Sequence, residues 1–247
     1  MTNKVPLHIK HGALFGRHER VALQVSGGKD SLAVLHAMKP WWDKLRVYWL
    51  NPGDPFPETV ALMENIKSAV PSFVEIPGRQ KEIIAADGWP SDVVPVKWTT
   101  FGQFVFGEKP YKIQGRLDCC YRALMAPMQE AMIRDGITCI IRGKRSEEAD
   151  KSPTRSGDVV EGIELVYPLW DWTAGKVEKY LEVNGVELPE SYKYASHSLD
   201  CMSCTAWWGE GLSKFLSAEH PAHFAEYDRR VGLIKAAIAE EITNCEV

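Results

Sequence analysis

Short apolar runs alternate with segments of helical spacing along most of the chain. The apolar runs predict buried strands at residues 21–25, 45–50, 73–76, 138–142 and 163–168. Apolar residues three and four positions apart predict helices at 31–38, 58–69, 120–133 and 173–183. Strands that alternate with crossover helices are typical of a parallel sheet. The pattern therefore predicts an α/β fold with a doubly wound, Rossmann-like parallel sheet.

The same pattern divides the chain into three parts. Residues 1–20 are polar and predict an N-terminal arm, residues 21–205 carry the alternation, and residues 206–247 predict a helical C-terminal extension and tail. Between residues 77 and 118 the alternation fades among glycine, proline and aromatic residues, and we expect a crossing segment there, with a lid as one interpretation. Helical spacing in the extension predicts packing positions at Phe215, Phe224, Tyr227, Val231, Ile234 and Ile238.

A glycine-rich hexapeptide, Ser26 to Ser31, joins the first predicted strand to the first predicted helix. Its two glycines allow backbone angles at which consecutive N–H groups converge on an anion. The helix that follows adds unpaired N–H groups and the positive end of its dipole. Lys29 adds a formal positive charge. The segment therefore predicts a phosphate-binding loop, and the alternative is an ordinary turn capped by Asp30 or Ser31.

The hexapeptide lacks the spacing of a Walker loop. It resembles the PP-loop of the adenine-nucleotide alpha-hydrolase superfamily, also called the N-type ATP pyrophosphatases. That resemblance implies a small-molecule partner, either ATP or a related adenylyl compound bound through its sulfate or phosphate. The residues that it implies for nucleotide binding are Ser26, Gly27, Gly28, Lys29, Asp30 and Ser31.

Composition narrows the cellular setting of the 247-residue chain. A formal net charge of −4 provides no general positive field that would attract nucleic acid. This net charge does not exclude a local basic groove. No apolar run is long enough to span a bilayer, and the N-terminus does not resemble a secretory signal. We expect a cytoplasmic protein without a membrane partner. Its six cysteines are then expected to be reduced, metal-bound or catalytic.

Four of these cysteines form two pairs, Cys119-Cys120 and Cys201 with Cys204. Two cysteines separated by two residues can bind one metal ion from a tight turn, whereas adjacent cysteines fit a single tetrahedral ion poorly. Adjacent thiolates can bind different irons of a larger cluster, which favours a [4Fe–4S] cluster over zinc. The alternative is that the first pair is only buried and that the second pair is redox-active.

Six motifs follow one another in an order similar to that of the phosphoadenosine/adenosine phosphosulfate reductase family. They are residues 26–31, Phe-Pro-Glu-Thr at 56–59, Cys119-Cys120 with Pro127, Ser-Pro-Thr-Arg at 152–155, residues 168–173, and Cys-Met-Ser-Cys-Thr at 201–205. The cysteine pairs resemble the cluster-bearing branch, which generally uses adenylyl sulfate. The resemblance implies a [4Fe–4S] cluster on Cys119, Cys120, Cys201 and Cys204. It also implies that Arg145 and Arg155 contact the nucleotide, as guanidinium groups suit sulfate and phosphate oxygens.

The end of the chain departs from the family pattern. Family reductases carry a catalytic cysteine in a Glu-Cys-Gly-(Ile or Leu)-His tail, whereas this chain ends Asn244-Cys245-Glu246-Val247. Cys245 is the candidate nucleophile, and the adjacent Glu246 is expected to raise the pKa of its thiol. The pair after Cys120 differs as well, since Tyr121-Arg122 stands where the cluster-bearing reductases usually have arginine and lysine.

The resemblance implies two enzymatic functions. The first is reduction of adenylyl sulfate, or its 3′-phosphorylated form, to sulfite and AMP or its 3′-phosphate, with Lys29 and Cys245 as catalytic residues and thioredoxin or glutathione as thiol donor. The alternative is an ATP pyrophosphatase, with Mg²⁺ where ATP is used, that adenylates a nucleic-acid acceptor for sulfur insertion. A third interpretation is a regulatory module without turnover. A homo-oligomer is compatible with all three.

Overall fold

The computed structural model describes residues 6–151 and 153–243. They form two compact units that are interleaved along the chain. The described part of the first, here called the sheet unit, comprises residues 6–50, 57–76, 129–151 and 153–190. The described part of the second, the cysteine unit, comprises residues 51–56, 77–128 and 191–243. The predicted domain boundaries at residues 20 and 205 were drawn from sequence motifs, whereas these two units are defined by their compactness. The predicted boundaries therefore stay a prediction.

Eight strands and eleven α-helices make up these units. The strands are β1 (Val21–Gln24), β2 (Leu45–Asn51), β3 (Phe73–Pro77), β4 (Trp89–Ser91), β5 (Ile113–Gly115), β6 (Cys139–Ile141), β7 (Val159–Val160) and β8 (Ile163–Val166). The helices are α1 (Leu7–Lys10), α2 (Leu14–Arg17), α3 (Lys29–Ala37), α4 (Pro57–Ala69), α5 (Gln80–Asp87), α6 (Thr100–Phe106), α7 (Arg116–Cys120), α8 (Ala126–Arg134), α9 (Ala174–Val183), α10 (Leu212–Glu219) and α11 (Pro221–Thr243).

The six-stranded sheet has the strand order β3-β2-β1-β6-β8-β7. β1 pairs in parallel with β2 and β6, β6 pairs in parallel with β8, and β7 pairs antiparallel with β8. The central strands are apolar on both faces because helices cover both, and Leu23, Val47 and Ile141 are fully buried. The predicted α/β fold with a parallel sheet is thus confirmed, and each of the five predicted strands is present.

The edge strand β7 was not predicted from the sequence. It forms a hairpin with β8 through Glu161 and Gly162, which both have positive φ angles (51° and 80°). Two central residues with positive φ define the tight hairpin turn whose twist matches that of paired strands. A two-residue strand with exposed side chains carries no periodic signal that could reveal it.

The stretch from residue 77 to 118 is more regular than the sequence indicated. It holds α5, α6 and a separate parallel pair, β4 with β5, in which Trp89 lies opposite Ile113. Strands of three residues are too short for a period of two to be recognised. The sequence left this segment poorly determined, and its interpretations as a crossing segment and as a lid stay predictions.

The C-terminal extension consists of two helices, α10 and α11, that pack within the cysteine unit. Phe215, Tyr227 and Val231 are buried in one apolar cluster with Phe56 and Met202. Ile234 is buried in a second cluster with Trp98 and Ile113, and Ile238 packs against it. Phe224 packs against the first cluster. The packing positions predicted from helical spacing are confirmed.

None of the helices in the described part of the chain is both long enough and apolar enough to cross a membrane.

Candidate anion-binding loop and cysteine centre

The predicted phosphate loop lies at the carboxyl end of β1, a central strand of the sheet unit. Gly27 has a φ angle of +83°, which side-chain-bearing residues rarely adopt. The Ser31 hydroxyl donates to the Gly28 carbonyl at 2.8 Å, and the Gly28 N–H donates to the Ser26 hydroxyl at 3.3 Å. The serines therefore stabilise the loop itself, and the loop keeps its shape through its own hydrogen bonds.

α3 begins at Lys29, two residues earlier than predicted, because Gly28 takes the N-cap position. Gly28 has no side chain, so no side-chain hydrogen bond caps this helix. The N–H groups of the first turn therefore point towards the position that an anion would take, at the positive end of the helix dipole. Lys29 is buried beside them, with its ammonium group 3.9 Å from the Asp30 carboxylate.

Gly143 is a residue of this site that sequence analysis missed. It follows β6 and packs against the first turn of α3 so closely that a Cβ would lie 2.5 Å from the carbonyl carbon of Asp30 and 2.6 Å from the nitrogen of Ser31. Backbone atoms cannot move aside as a side chain can. Position 143 therefore requires glycine, and this close approach fixes the loop after β6 against the anion-binding turn.

Arg145 is buried and binds carboxylates in this structure. Its guanidinium Nε donates to Asp30 Oδ1 at 2.6 Å, and its other nitrogens face Glu147 and Glu148. Burial opposes the charged guanidinium, but the pKa of Arg145 is raised because Asp30, Glu148 and Glu147 favour that form. Burial raises the pKa of Asp30, and Arg145 and Lys29 counteract part of that rise. Arg145 thus connects the loop after β6 to the first turn of α3.

Lys144 lies in the loop after β6, between Gly143 and Arg145, and Arg155 lies in a further loop of the sheet unit. Arg155 is exposed, and its backbone N–H donates to the Asp158 carboxylate at 2.6 Å. Lys144, which sequence analysis did not select, donates to the Thr154 carbonyl at 2.6 Å and lies 5.1 Å from the centre of the Tyr167 ring. Burial, followed by the nearby Arg142, lowers the pKa of Lys144. The sequence signal that points to Lys144 is its place in the loop that follows the predicted strand at residues 138–142.

The four cysteines of the two predicted pairs lie in the cysteine unit and interact with one another. Burial raises the pKa of the Cys204 thiol to about 12, with further contributions from Cys120 and Cys119. Burial also raises the pKa of Cys201, and the other three thiols add to the rise. The fold therefore brings together two segments that lie about eighty residues apart in sequence.

The arrangement of these thiols differs from that of a mononuclear metal site. In the part of the chain that the structure describes, no three His, Cys, Asp or Glu side chains are spaced to hold a single metal ion. A cluster of several irons holds its thiolate ligands further apart than one ion does, because each thiolate binds a different iron. Four neighbouring thiols are compatible with the donor set of an iron–sulfur group, and the [4Fe–4S] cluster stays a prediction.

A five-residue π-helix, Tyr121–Met125, directly follows the first cysteine pair and separates α7 from α8. Pro127 has no N–H group to donate to the Ala123 carbonyl, four residues earlier. The backbone N–H of Arg79 donates to that carbonyl instead, at 3.0 Å. The irregular turn is thus stabilised within the cysteine unit. Such turns occur often at functional sites.

Arg122, which follows the cysteine pair, has a partner in the cysteine unit. Its guanidinium donates to the Asp87 carboxylate at 2.5 Å. Burial raises the pKa of Cys119 to about 12, with an added contribution from Cys120, and the positive charge of Arg122 opposes that rise. Arg122 therefore supplies positive charge beside the cysteines.

Cys245, the predicted nucleophile, lies outside the described residues, as does Ser152.

The parallel sheet, the Gly-Gly loop and the uncapped helix N-terminus together define a nucleotide-binding α/β protein of the PP-loop type. The model of the phosphoadenosine phosphosulfate reductase domain matches residues 20–207, most of the chain. The chain belongs to that family.

Curated relatives agree with this assignment. The adenosine 5′-phosphosulfate reductase of Burkholderia cepacia is 23% identical over 212 residues, which cover 78% of each chain. The enzyme of the same name from Neisseria meningitidis serogroup B is 26% identical over 125 residues, 44% of this chain. The chain spans about half the length of the Neisseria relatives it matches (49% and 51%).

The solved structure of phosphoadenylyl-sulfate reductase from Candida auris, a phosphate complex, has the same fold. It superposes with a TM-score of 0.53 at 17% sequence identity, and the match covers 79% of this chain and 88% of that one. At this identity the similarity supports the fold alone.

Proposed function

We propose that this chain is a sulfonucleotide reductase that converts adenylyl sulfate to sulfite and AMP with a thiol donor. Two observations together carry the proposal. Four cysteines lie close enough to affect one another's pKa, and residues 20–207 match the phosphoadenosine phosphosulfate reductase domain. The relatives named adenosine 5′-phosphosulfate reductase support adenylyl sulfate over its 3′-phosphorylated form.

Residues of the sheet unit would bind the nucleotide. The N–H groups of the Gly27-Gly28 loop and of the first turn of α3 suit the sulfate or phosphate oxygens, and the Lys29 ammonium neutralises part of their charge. Arg155, which is exposed, would add a guanidinium, as the family resemblance implies. Arg145 would act differently from the sequence expectation, because it holds Asp30 and thereby the loop.

The chemical step requires a thiolate, for which Cys245 is the candidate. Its sulfur attacks the sulfate sulfur, an S–S bond forms, and the bond to the AMP oxygen breaks so that AMP leaves. A dithiol of the thioredoxin class, or glutathione, then attacks the S-sulfocysteine. Attack at the Cys245 sulfur forms a mixed disulfide, and sulfite leaves with the electrons of the broken sulfur–sulfur bond. A second donor thiol then attacks the mixed disulfide, which releases Cys245 as a thiol and leaves the donor as a disulfide. Thiols therefore supply both electrons of the reduction.

Cys119, Cys120, Cys201 and Cys204 would hold a [4Fe–4S] cluster. When bound, such a group supplies fixed charge, since the electrons of the reaction come from thiols. The raised pKa values of these thiols indicate that they are protonated at neutral pH without a metal, so binding of iron must release protons.

The tail of the chain favours a second candidate, an ATP pyrophosphatase that activates a nucleic-acid acceptor for sulfur insertion. Glu246 directly follows Cys245, whereas family reductases carry glycine directly after the catalytic cysteine. The same loop would then bind the phosphates of ATP, with Mg²⁺ as a cofactor.

One experiment separates the two candidates. Protein expressed anaerobically is incubated with adenylyl sulfate and thioredoxin, and in parallel with ATP and Mg²⁺, and sulfite and pyrophosphate are measured. The proposal expects sulfite that disappears in Cys245→Ser and persists in Cys139→Ala, a cysteine buried in β6. Pyrophosphate without sulfite, in a protein that Cys245→Ser leaves unchanged, would establish the second candidate instead.

A further inference from the structure

Helix α6 turns its apolar side chains towards solvent, the reverse of the usual arrangement in a surface helix. Phe101 and Phe104 are 73% and 85% exposed, and their rings stack with centroids 6.3 Å apart. Val105 and Phe106 are more than half exposed. The residue that α6 buries is Gly102. The helix therefore forms an apolar surface, here called the α6 patch, that consists of Phe101, Phe104, Val105 and Phe106.

The backbone around α6 holds this patch in a fixed orientation. The Thr99 hydroxyl accepts a hydrogen bond from the Gly102 N–H at 2.9 Å, which caps the start of the helix. The Gln103 side chain donates to the Tyr111 carbonyl at 2.6 Å. A Cβ on Gly102 would overlap the Val96 carbonyl oxygen, so α6 lies directly against that backbone. Because a glycine and a glutamine attach the helix, its phenylalanines stay outside, and the surface is formed before a partner binds.

The α6 patch lies beside the end of α11, the helix that precedes the candidate nucleophile. The Lys97 ammonium, three residues before α6, lies 3.9 Å from the Glu241 carboxylate. The Lys109 ammonium, three residues after α6, lies 3.0 Å from the Glu240 carboxylate. Cys245 follows the last residue of α11 by two positions in the sequence, and two residues of chain span at most about 7 Å. A thiol that attacks Cys245 must therefore approach the end of α11, beside which α6 lies.

The size and the charge of the α6 patch favour a protein that binds briefly. Its three phenylalanines expose roughly 400 Å² of apolar surface, whereas one side of a standard stable interface buries about 800 Å². Transient redox encounters bury less than stable complexes do, which favours such a partner over a second copy of this chain. The two lysines beside the patch are paired with Glu240 and Glu241, so their charge is balanced. Helices that bind anionic membranes carry an excess of lysine and arginine instead.

We propose that the α6 patch is the docking surface for the thiol donor: a dithiol protein of the thioredoxin class binds it through an apolar surface around its reactive dithiol and thereby reaches Cys245. The inference rests on the proposed function, which makes Cys245 the nucleophile and requires a donor thiol at its sulfur in each turnover. Exposed phenylalanines are typical anchors of protein–protein contacts. A small dithiol such as dithiothreitol needs no docking surface, so its use does not depend on the patch.

The test compares thioredoxin with dithiothreitol as donor, in full-length protein prepared anaerobically and supplied with adenylyl sulfate. Sulfite formation is measured against donor concentration for wild type and for Phe104→Ser. The KM for thioredoxin is expected to rise at least about tenfold in Phe104→Ser, because the variant removes the most exposed anchor of the patch. The rate with dithiothreitol is expected to equal that of wild type. A side chain that is 85% exposed contributes little to the fold, so the variant should fold normally.

Val105→Ser and Val183→Ser form a matched pair of substitutions in two helices. Val105 belongs to the α6 patch, whereas Val183 is an exposed valine of α9 in the sheet unit. Val105→Ser is expected to raise the KM for thioredoxin about threefold, since a valine is a smaller anchor than a phenylalanine. Val183→Ser is expected to leave it as in wild type.

A KM for thioredoxin that stays at the wild-type value in both Phe104→Ser and Val105→Ser would overturn the inference and leave the proposed function intact. Turnover of the wild type with dithiothreitol but not with thioredoxin would overturn it as well. A wild-type dimer in sedimentation velocity that Phe104→Ser dissociates would assign the patch to a second copy of the chain instead. Absence of sulfite with both donors would contradict the proposed function and remove this inference with it.

Discussion

The guanidinium of Arg145 donates to the carboxylate of Asp30 across 2.6 Å, although 115 residues separate the two in sequence. The bond connects the loop after β6 to the first turn of α3, where the anion-binding N–H groups lie. Glu147, which also faces Arg145, accepts a hydrogen bond from the first N–H of α9 at 3.2 Å. One buried guanidinium thus holds three elements of the sheet unit around the loop.

We predict that Arg145→Lys lowers the free energy of unfolding by about 2 kcal/mol, because an ammonium group cannot reproduce the planar set of donors to several carboxylates. Nucleotide affinity is expected to fall with it. Urea titrations and calorimetric titration with adenylyl sulfate measure the two effects. The matched control is Arg155→Lys at an exposed position, which should leave stability unchanged while weakening binding. Full stability in Arg145→Lys would show that the contact with Asp30 is not structural.

Gly143→Ala tests the close approach between β6 and α3. The added Cβ would lie 2.5 Å from backbone atoms of Asp30, so the first turn of α3 must move. We expect affinity for adenylyl sulfate to fall at least about tenfold, which corresponds to about 1.4 kcal/mol. Stability should fall by about 1 to 3 kcal/mol.

Gly175→Ala is the control for that substitution. Gly175 lies in α9, and a Cβ there would meet no atom within 4 Å. Its replacement should leave nucleotide affinity as in wild type, and the better helix propensity of alanine raises stability by up to about 1 kcal/mol. Equal affinity in the Gly143 and Gly175 variants would contradict the role assigned to Gly143.

The sequence was sufficient to predict five of the eight strands, and it indicated the glycine loop and the two cysteine pairs, because each depends on residues close together along the chain. Gly27 shows this directly, since its positive φ was expected from the motif. The partners of Arg145 were not predictable. The family resemblance assigned its guanidinium to the nucleotide, and carboxylates that fold next to it are visible only in three dimensions. The contacts of Asp92 with Trp207 and Trp208 span 115 and 116 residues and were missed for the same reason.

Tyr48 and Asp135 provide a pH-dependent contribution to stability in the sheet unit. The Tyr48 hydroxyl donates to Asp135 Oδ2 at 2.7 Å, and this bond is the main reason why the pKa of Asp135 is below its ordinary value of 3.8. A lowered carboxyl pKa stabilises the fold above the ordinary aspartate range, and the contribution is lost as the pH falls through the lowered value.

We therefore expect Tyr48→Phe to lower the free energy of unfolding by about 1 to 2 kcal/mol at pH 7 and by less under acidic conditions. Urea titrations at both pH values measure the difference. Tyr121→Phe, at an exposed tyrosine, should change neither. A deficit of Tyr48→Phe that is as large in acid as at neutral pH would show that the carboxylate charge contributes nothing to it.

We predict that the iron and sulfide content of the protein depends on the four paired cysteines of the cysteine unit. Cys119, Cys120, Cys201 and Cys204 lie close enough for their charges to affect one another, and a cluster that lacks one thiolate ligand is bound less tightly and exposed to solvent. Each of the four Cys→Ala variants is expected to lose most of its iron and sulfide during anaerobic purification, together with the visible absorption of the cluster. Cys139→Ala is the matched control, since Cys139 is equally a free cysteine but is buried in β6 of the sheet unit. It should retain the iron content of wild type. Iron that persists in all four variants, or that is lost only in Cys139→Ala, would show that these thiols are not its ligands.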